Sequence, residues 1–347
     1  MPADRAVFFD GVRSVAVRAV GVPAPGPGDV LVEVAACGVC GSDLHQYLGR
    51  WPQNEYAVGH EIGGVVSECG AEVGTIEPGE AVCVEPFLYC GRCRYCQVGR
   101  YFHCYEMGFL SLTAHGGMST RLCVPEYCLY RLPDGVPAEL GALCEPLAVG
   151  IHGLRLGGLR GEQTVLVLGG GTIGLLTAAT ARWLGADRVY LTAKYEHQAE
   201  AARRLGVDEV LPTESEALQQ RLAAIAPEGP ELVVETVGSR AGTLAAGLAA
   251  ARKMGTVVLL GGNTEPMQGL DLAPVITKEL AIVGAGCYGR LGHHSDFELA
   301  VRMLGEETDR LASLVTHRFP LEQAQQAFEV ALEKAEHRSV KVLVEGS

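Results

Sequence analysis

A run of glycines between two differently textured segments sets the strongest limit on the fold. Thr164 to Leu168 is a short β-rich stretch, Gly169-Gly170-Gly171-Thr172-Ile173-Gly174 follows it directly, and the residues after Gly174 favour helix. In that context the G-x-G-x-x-G spacing has a physical meaning. Gly169 permits a tight turn, Gly171 lets the backbone approach a pyrophosphate, and Gly174 lets helix pack on strand, with the helix N-terminus facing the anion. Thr172 and Ile173 complete the turn. The longest uncharged stretch, Gln163 to Ala181, contains these glycines, which argue for strand, turn and buried helix and against a membrane span.

The texture around the turn agrees. Strand-like runs at Arg188–Thr192, Leu232–Glu235, Thr256–Leu260 and Ala281–Ala285 alternate with helix-forming runs ending near Leu184, Leu205 and Ala251. This alternation predicts an α/β doubly wound parallel sheet. Upstream, short β runs such as Val30–Val34, Gly64–Glu68 and Ala81–Val84 are broken by Gly and Pro, which reads as a partly open β-barrel. Two amphipathic segments, Ser295–Leu304 and Leu321–Glu333, and a last strand, Val340–Val344, are expected to return to that first domain. A chain of 347 residues is long enough for two cores. The expected division is 1–149 with 287–347, and 150–286 between them.

Four of the twelve cysteines stand as Cys90-x2-Cys93-x2-Cys96-x7-Cys104. Four soft thiolates so spaced close a tetrahedral zinc with no open position, which is a structural site in a lobe spanning 90–104. The chain opens MPADRAVFF, without a basic segment followed by an apolar one, so no secretory signal is expected and the compartment is read as cytoplasmic. With 28 basic and 41 acidic residues the net charge is −13, and no basic patch offsets it. Nucleic acid and anionic membrane are therefore excluded as partners, and a small molecule is expected.

Other motifs are weak singly and informative together. Cys40-Gly-Ser42-Asp43-x-His45, Gly59-His60-Glu61, the four-cysteine lobe, Glu145-Pro146-Leu147 and the glycine turn occur in an order that resembles the zinc-containing medium-chain alcohol dehydrogenases. The resemblance covers essentially the whole chain, including Thr316-His-Arg-Phe-Pro-Leu321. Glu-Pro-Leu at 145–147 is similar to the sorbitol, butanediol, threonine and glucose dehydrogenase branch. It implies a GroES-like β-barrel catalytic domain beside a Rossmann domain.

Carried over by position, the resemblance implies a catalytic zinc held by Cys40 and His60, with Glu61 and Glu145 as direct or water-mediated ligands and the choice between them open. Cys144 competes only weakly if, as expected, it and Glu145 lie on one strand and face opposite ways. Ser42 would contact the substrate hydroxyl, and His45, with an unperturbed pKa near neutrality, would pass the proton to solvent. Val237 and Gly238 would line the nicotinamide pocket, and the substrate would lie between the domains. Two zinc ions per chain and a homotetramer or dimer follow from the same resemblance.

The cofactor reading rests on the second strand of the parallel sheet. Where NAD-preferring folds place an acidic residue for the ribose 2′-hydroxyl, this chain has Ala193, then Lys194, with His197 nearby. Losing a repelling charge and gaining an attracting one points to NADP(H) over NAD(H). Glu196 taking the acidic role is the alternative. Sorbitol dehydrogenases continue their coenzyme domain into Phe-Arg-Tyr, whereas this chain reads Gly286-Cys287-Tyr288. Without that guanidinium a smaller secondary alcohol or diol, or its ketone, is the expected substrate. The rival readings are an NAD-dependent polyol, 2,3-butanediol or threonine dehydrogenase, a zinc-free quinone or enoyl reductase, and a non-catalytic nucleotide-binding sensor or scaffold.

Overall fold

The computed structural model describes residues 3–238, 242–262 and 269–346. The chain divides into two compact units, Met1–Glu145 with Gly292–Ser347, and Pro146–Leu291.

The first unit is built on a seven-stranded sheet. Its order is Val315–Pro320, Lys341–Glu345, Asp29–Gly38, Glu61–Cys69, Ala81–Val84 and Leu129–Arg131, with Arg121–Pro125 pairing to Asp29–Gly38 off that path. The pairing of Asp29–Gly38 with Glu61–Cys69 is interrupted between Leu31 and Val32 and between Val34 and Ala36. Such bulges increase local twist and help a sheet to curl. Its interior is filled by Val30, Val32, Val34, Ile62, Val66, Val82, Val84 and Phe328, all buried. The C-terminal segments complete this unit. The helix Asp296–Glu306 starts from a capping box between Ser295 and Glu298, and Lys341–Glu345 pairs antiparallel with the strand that leads to Cys40.

The second unit holds six parallel strands in the order Glu209–Leu211, Arg188–Thr192, Thr164–Leu168, Leu232–Glu235, Thr256–Leu259 and Ala281–Gly284. The chain begins in the middle of the sheet and winds outward both ways, so the strand order reverses beside Thr164–Leu168. That crevice is where doubly wound folds bind dinucleotides. The sequence reading passes over Glu209–Leu211 and the helix Ser215–Ile225. A three-residue strand is too short to show periodicity. The helix begins with Glu214, whose side chain accepts from the Glu216 and Ala217 N–H groups.

One local expectation is corrected. Cys144 and Glu145 open the helix Cys144–Leu156 and do not lie on a strand. Their side chains diverge by the helical rotation, and Pro146 next to them suits a first turn, where its missing N–H has no partner to lose. Among the described residues no helix is long and apolar enough to cross a membrane.

Candidate active site

Cys40 caps the helix Gly41–Tyr47 in the first unit. Its backbone N–H donates to Asp43 Oδ2 at 2.9 Å, which fixes the turn on which Ser42 and His45 follow. His60 and Glu61 lie at the start of the neighbouring strand, and a Cβ on Gly38 would overlap the Glu61 carboxylate, so only glycine leaves room there. One donor atom each from Cys40, His60 and Glu61 lies within 4.8 Å of the others. A zinc with bonds of about 2.0–2.3 Å needs donors roughly 3.3–3.8 Å apart, so small side-chain adjustments suffice. His60 Nδ1 stands 3.6 Å from the buried Asp43 Oδ1, beyond hydrogen-bond reach, so the carboxylate faces the ring through its charge.

The electrostatics also suit a cation. Burial pushes the Cys40 thiol up to about 12, with Glu61 and Asp43 adding to it. Burial likewise raises Glu145 to about 8, against the pull of His60 and with Glu61 and Cys40 reinforcing the rise. Glu145 therefore feels the cluster electrostatically, although it is not one of the three groups whose donors converge. The opposing charge within the protein is Lys341, fully buried, whose Nζ donates to Glu61 Oε2 at 2.5 Å and to the Val39 carbonyl at 3.1 Å. Several buried acids around Lys341 form a donor set that a divalent cation would balance. The sequence reading missed Lys341 and the place of Asp43 facing His60. Only the Cys40-x2-Asp43 spacing, a capping pattern, could have signalled the second.

On the helix face beyond Cys40, Ser42 Oγ and His45 Nδ1 are buried without hydrogen-bond partners. Burial and the nearby Arg50 hold the His45 imidazole below the ordinary histidine range, which corrects the expectation of an unperturbed group.

The Cys90, Cys93, Cys96 and Cys104 sulfurs all lie within 4.8 Å of one another, with Cys93 to Cys96 and Cys104 to Cys90 both 3.5 Å. None is in a disulfide. Tetrahedral zinc with bonds of about 2.3 Å has sulfur–sulfur edges of roughly 3.8 Å, close to this arrangement. N–H groups of Cys96 and Tyr105 bring the Cys93 thiol down to about 6, so this thiol ionises readily.

In the second unit Gly169 has φ +115°, and a Cβ there would meet Val237 Cγ2 at 2.6 Å. Gly171 differs, because a Cβ there would meet nothing within 4 Å. Protein packing leaves space in front of Gly171, at the N-cap of the helix Thr172–Trp183, where an anion fits. Val237 and Gly238 follow the strand Leu232–Glu235, and the turn that carries them is pinned by a residue the sequence reading overlooked. Buried Glu235 Oε1 accepts from Val237 N at 2.8 Å, Gly238 N at 2.9 Å and Thr243 Oγ1 at 2.7 Å. Ala193 lies past the end of Arg188–Thr192. Beyond it Lys194 Nζ stands 5.4 Å from the Tyr195 ring centroid, and Tyr195 stacks on His197 with centroids 5.5 Å apart. Glu196 is paired with Arg203 at 2.7 Å.

This geometry agrees with two family matches, residues 26–134 to the alcohol dehydrogenase GroES-like domain and residues 172–306 to zinc-binding dehydrogenases. The chain belongs to the zinc-dependent alcohol and polyol dehydrogenases. Among relatives of this family, L-idonate 5-dehydrogenase of Vitis vinifera is 32% identical over 339 residues, covering 94% of this chain and 91% of its own. Human sorbitol dehydrogenase is 33% identical over 340 residues, covering 94% and 92%. A zinc-binding dehydrogenase of Sinorhizobium meliloti 1021, solved bound to NADP, superposes with a TM-score of 0.87 at 31% identity, covering 99% of this chain and 100% of its own.

Proposed function

We propose that this dehydrogenase converts a secondary alcohol or diol to the ketone, or the reverse, with NADP(H) preferred over NAD(H) and two zinc ions per chain. The convergence of Cys40, His60 and Glu61 near Ser42 and His45, whose Oγ and Nδ1 are buried without hydrogen-bond partners, carries the reading. When bound, zinc would supply the Lewis acidity that lowers the alcohol's pKa, and the nicotinamide would take up the hydride. The residues of the chain do the rest. Cys40, His60 and one of the two glutamates would hold the metal, with Asp43 facing His60 and Lys341 keeping Glu61 in place. Ser42 receives the alcohol proton through its hydroxyl and hands it towards His45, which releases it to solvent. The depressed pKa of His45 keeps it neutral, and so able to accept, at neutral pH.

Val237 and Gly238 are assigned to the nicotinamide pocket, and Gly169, Gly171, Thr172, Ile173 and Gly174 to the pyrophosphate. Ala193, Lys194 and His197 are assigned to the 2′-phosphate. Engagement of Glu196 with Arg203 favours that assignment over the one in which Glu196 binds the ribose. The Cys90, Cys93, Cys96 and Cys104 lobe would hold a structural zinc. Cys287 in place of a polyol-binding arginine favours a short diol over sorbitol. The edge strand Ala281–Gly284 is largely exposed, with Ile282 at 40% and nearby Leu272 at 52%, which suits a homo-oligomer. Twelve free cysteines suit a reducing, cytoplasmic setting.

The test is a screen of diols, polyols, hydroxy-amino acids and aldoses with NAD and NADP in parallel, together with Glu145→Ala. That substitution is expected to cut turnover at least a hundredfold while dinucleotide binding, read by fluorescence, stays intact. Turnover that survives removal of all metal would point to a zinc-free reductase. Intact zinc and dinucleotide binding without turnover on any substrate class would favour the sensor.

A further inference from the structure

We propose that Trp51 is a positioning residue for the proton relay, its indole holding the His45 imidazole in the orientation that accepts the proton. The inference rests on the reading of His45 as the relay base. The two rings lie 5.0 Å apart between centroids and are inclined by 31°. They are close because the chain turns back on the end of its helix. Gly49, at φ +67°, permits the reversal, and the His45 carbonyl accepts from the N–H groups of both Arg50 at 2.9 Å and Trp51 at 3.2 Å. Two side-chain bonds secure the far side of the turn. Gln46 Nε2 donates to the Pro52 carbonyl and Gln53 Nε2 to the Gln46 carbonyl, each at 3.0 Å. Backbone and side chains thus fix Trp51 against the helix that carries His45.

The imidazole needs such a support. Its Nδ1 is buried without a hydrogen-bond partner, so no bond at that atom sets the ring orientation. Rotation about the terminal torsion of histidine is soft and roughly two-fold, and a flipped ring would exchange its two nitrogens. An indole against the ring resists that rotation, while Trp51, 36% exposed, places the pair at the edge of the solvent. The indole also shields the ring from water, which holds its pKa down, in the same direction as the Arg50 charge from the same turn.

The holoenzyme is compared with Trp51→Phe, Trp51→Leu and His45→Ala. Turnover is followed against pH, and the His45 imidazole is titrated by NMR with labelled histidine. Trp51→Phe keeps a ring and should stay within about twofold of the parent. Trp51→Leu leaves a smaller side chain that neither stacks on the imidazole nor covers it fully, so kcat should fall about tenfold at little change in KM, with a smaller loss than from His45→Ala. The His45 midpoint should rise towards 6.5 as water reaches the ring. A rise in KM alone, with kcat and the His45 midpoint unmoved in Trp51→Leu, overturns the proposal and leaves Trp51 as a wall of the substrate pocket. A His45→Ala enzyme with the parent's pH profile would instead sink the relay itself. The NMR midpoint in Trp51→Leu then still reports whether the indole governs the imidazole.

Discussion

Lys341 Nζ and Glu61 Oε2 meet at 2.5 Å in a pair of which each side chain is only 1% exposed, joining positions 280 apart in the chain. The bond links the last strand of the first unit to the strand that starts at the Cys40, His60 and Glu61 cluster. Lys341 also donates to the carbonyl of Val39, the residue before Cys40. One ammonium therefore ties down the segments that bear two of the three converging donors. Burial alone pulls the Lys341 pKa down, but Glu61, Cys40 and Glu145 outweigh it, so the group lies above the ordinary lysine range and is charged at neutral pH.

Removing one partner of a buried pair strands the other charge, at a cost of about 3–5 kcal/mol. Lys341→Met is expected to lose that much in denaturant unfolding and to weaken zinc retention. Adding Glu61→Leu should restore much of the stability but not the turnover, because the packing then closes without a carboxylate. A double variant as unstable as the single one would show that Lys341 acts through packing and not through Glu61.

The two metal sites should separate by mutation. Cys104→Ser is expected to lower the zinc content by one ion per chain and to destabilise the fold, since a structural site contributes folding free energy. Cys40→Ser should remove the other ion and abolish turnover with a much smaller fall in Tm. Metal analysis and thermal melts check both. A parent enzyme fully active with a single zinc contradicts the assignment.

What could be read from the sequence was what lies close together along it. The cysteine lobe sits within fifteen residues and the glycine turn within six, so spacing alone exposes them. The strands Arg188–Thr192 and Leu232–Glu235 were legible because buried parallel strands are unbroken apolar runs. Lys341 was not, because nothing near it in the sequence announces a partner 280 positions away. Glu235 looked like the last residue of a strand, and its grip on the turn at Val237 and Gly238 emerges only once the backbone folds over it. Glu145 was assigned to a strand because a short apolar context does not distinguish strand from helix start.

Asp4 offers a pH test away from the metal. Its two oxygens accept from Arg121 Nε and Nη2, both at 2.7 Å, and these bonds hold the carboxyl below its usual range against a smaller desolvation effect. A depressed acid contributes stability that is present above its unfolded pKa, near 3.8, and is lost as the pH falls through the lower folded value. Asp4→Asn is therefore expected to cost about 1 kcal/mol at neutral pH, discounted for partial exposure, and progressively less below about pH 3.8. Chemical denaturation of both proteins at pH 7 and pH 3 measures the gap. A gap that widens on acidification contradicts the sign.

The proposed coenzyme preference rests on the residues just past the strand Arg188–Thr192. A 2′-phosphate carries up to two negative charges, and a carboxylate at position 193 would repel it, whereas Ala193 does not. In the proposed site Lys194 would add attraction, and its ammonium lies 5.4 Å from the Tyr195 ring centroid, with Tyr195 itself stacked on His197. One charge-assisted contact is worth about 1.5–3 kcal/mol, which corresponds to roughly a ten- to hundredfold preference when the phosphate is partly shielded from solvent. Ala193→Asp should weaken NADP use and strengthen NAD use, while Lys194→Ala should weaken NADP alone. Steady-state kcat/KM for both coenzymes in the three proteins checks this. A parent with higher kcat/KM for NAD than for NADP means that Lys194 serves the solvent-exposed surface and that this strand end does not select the phosphate.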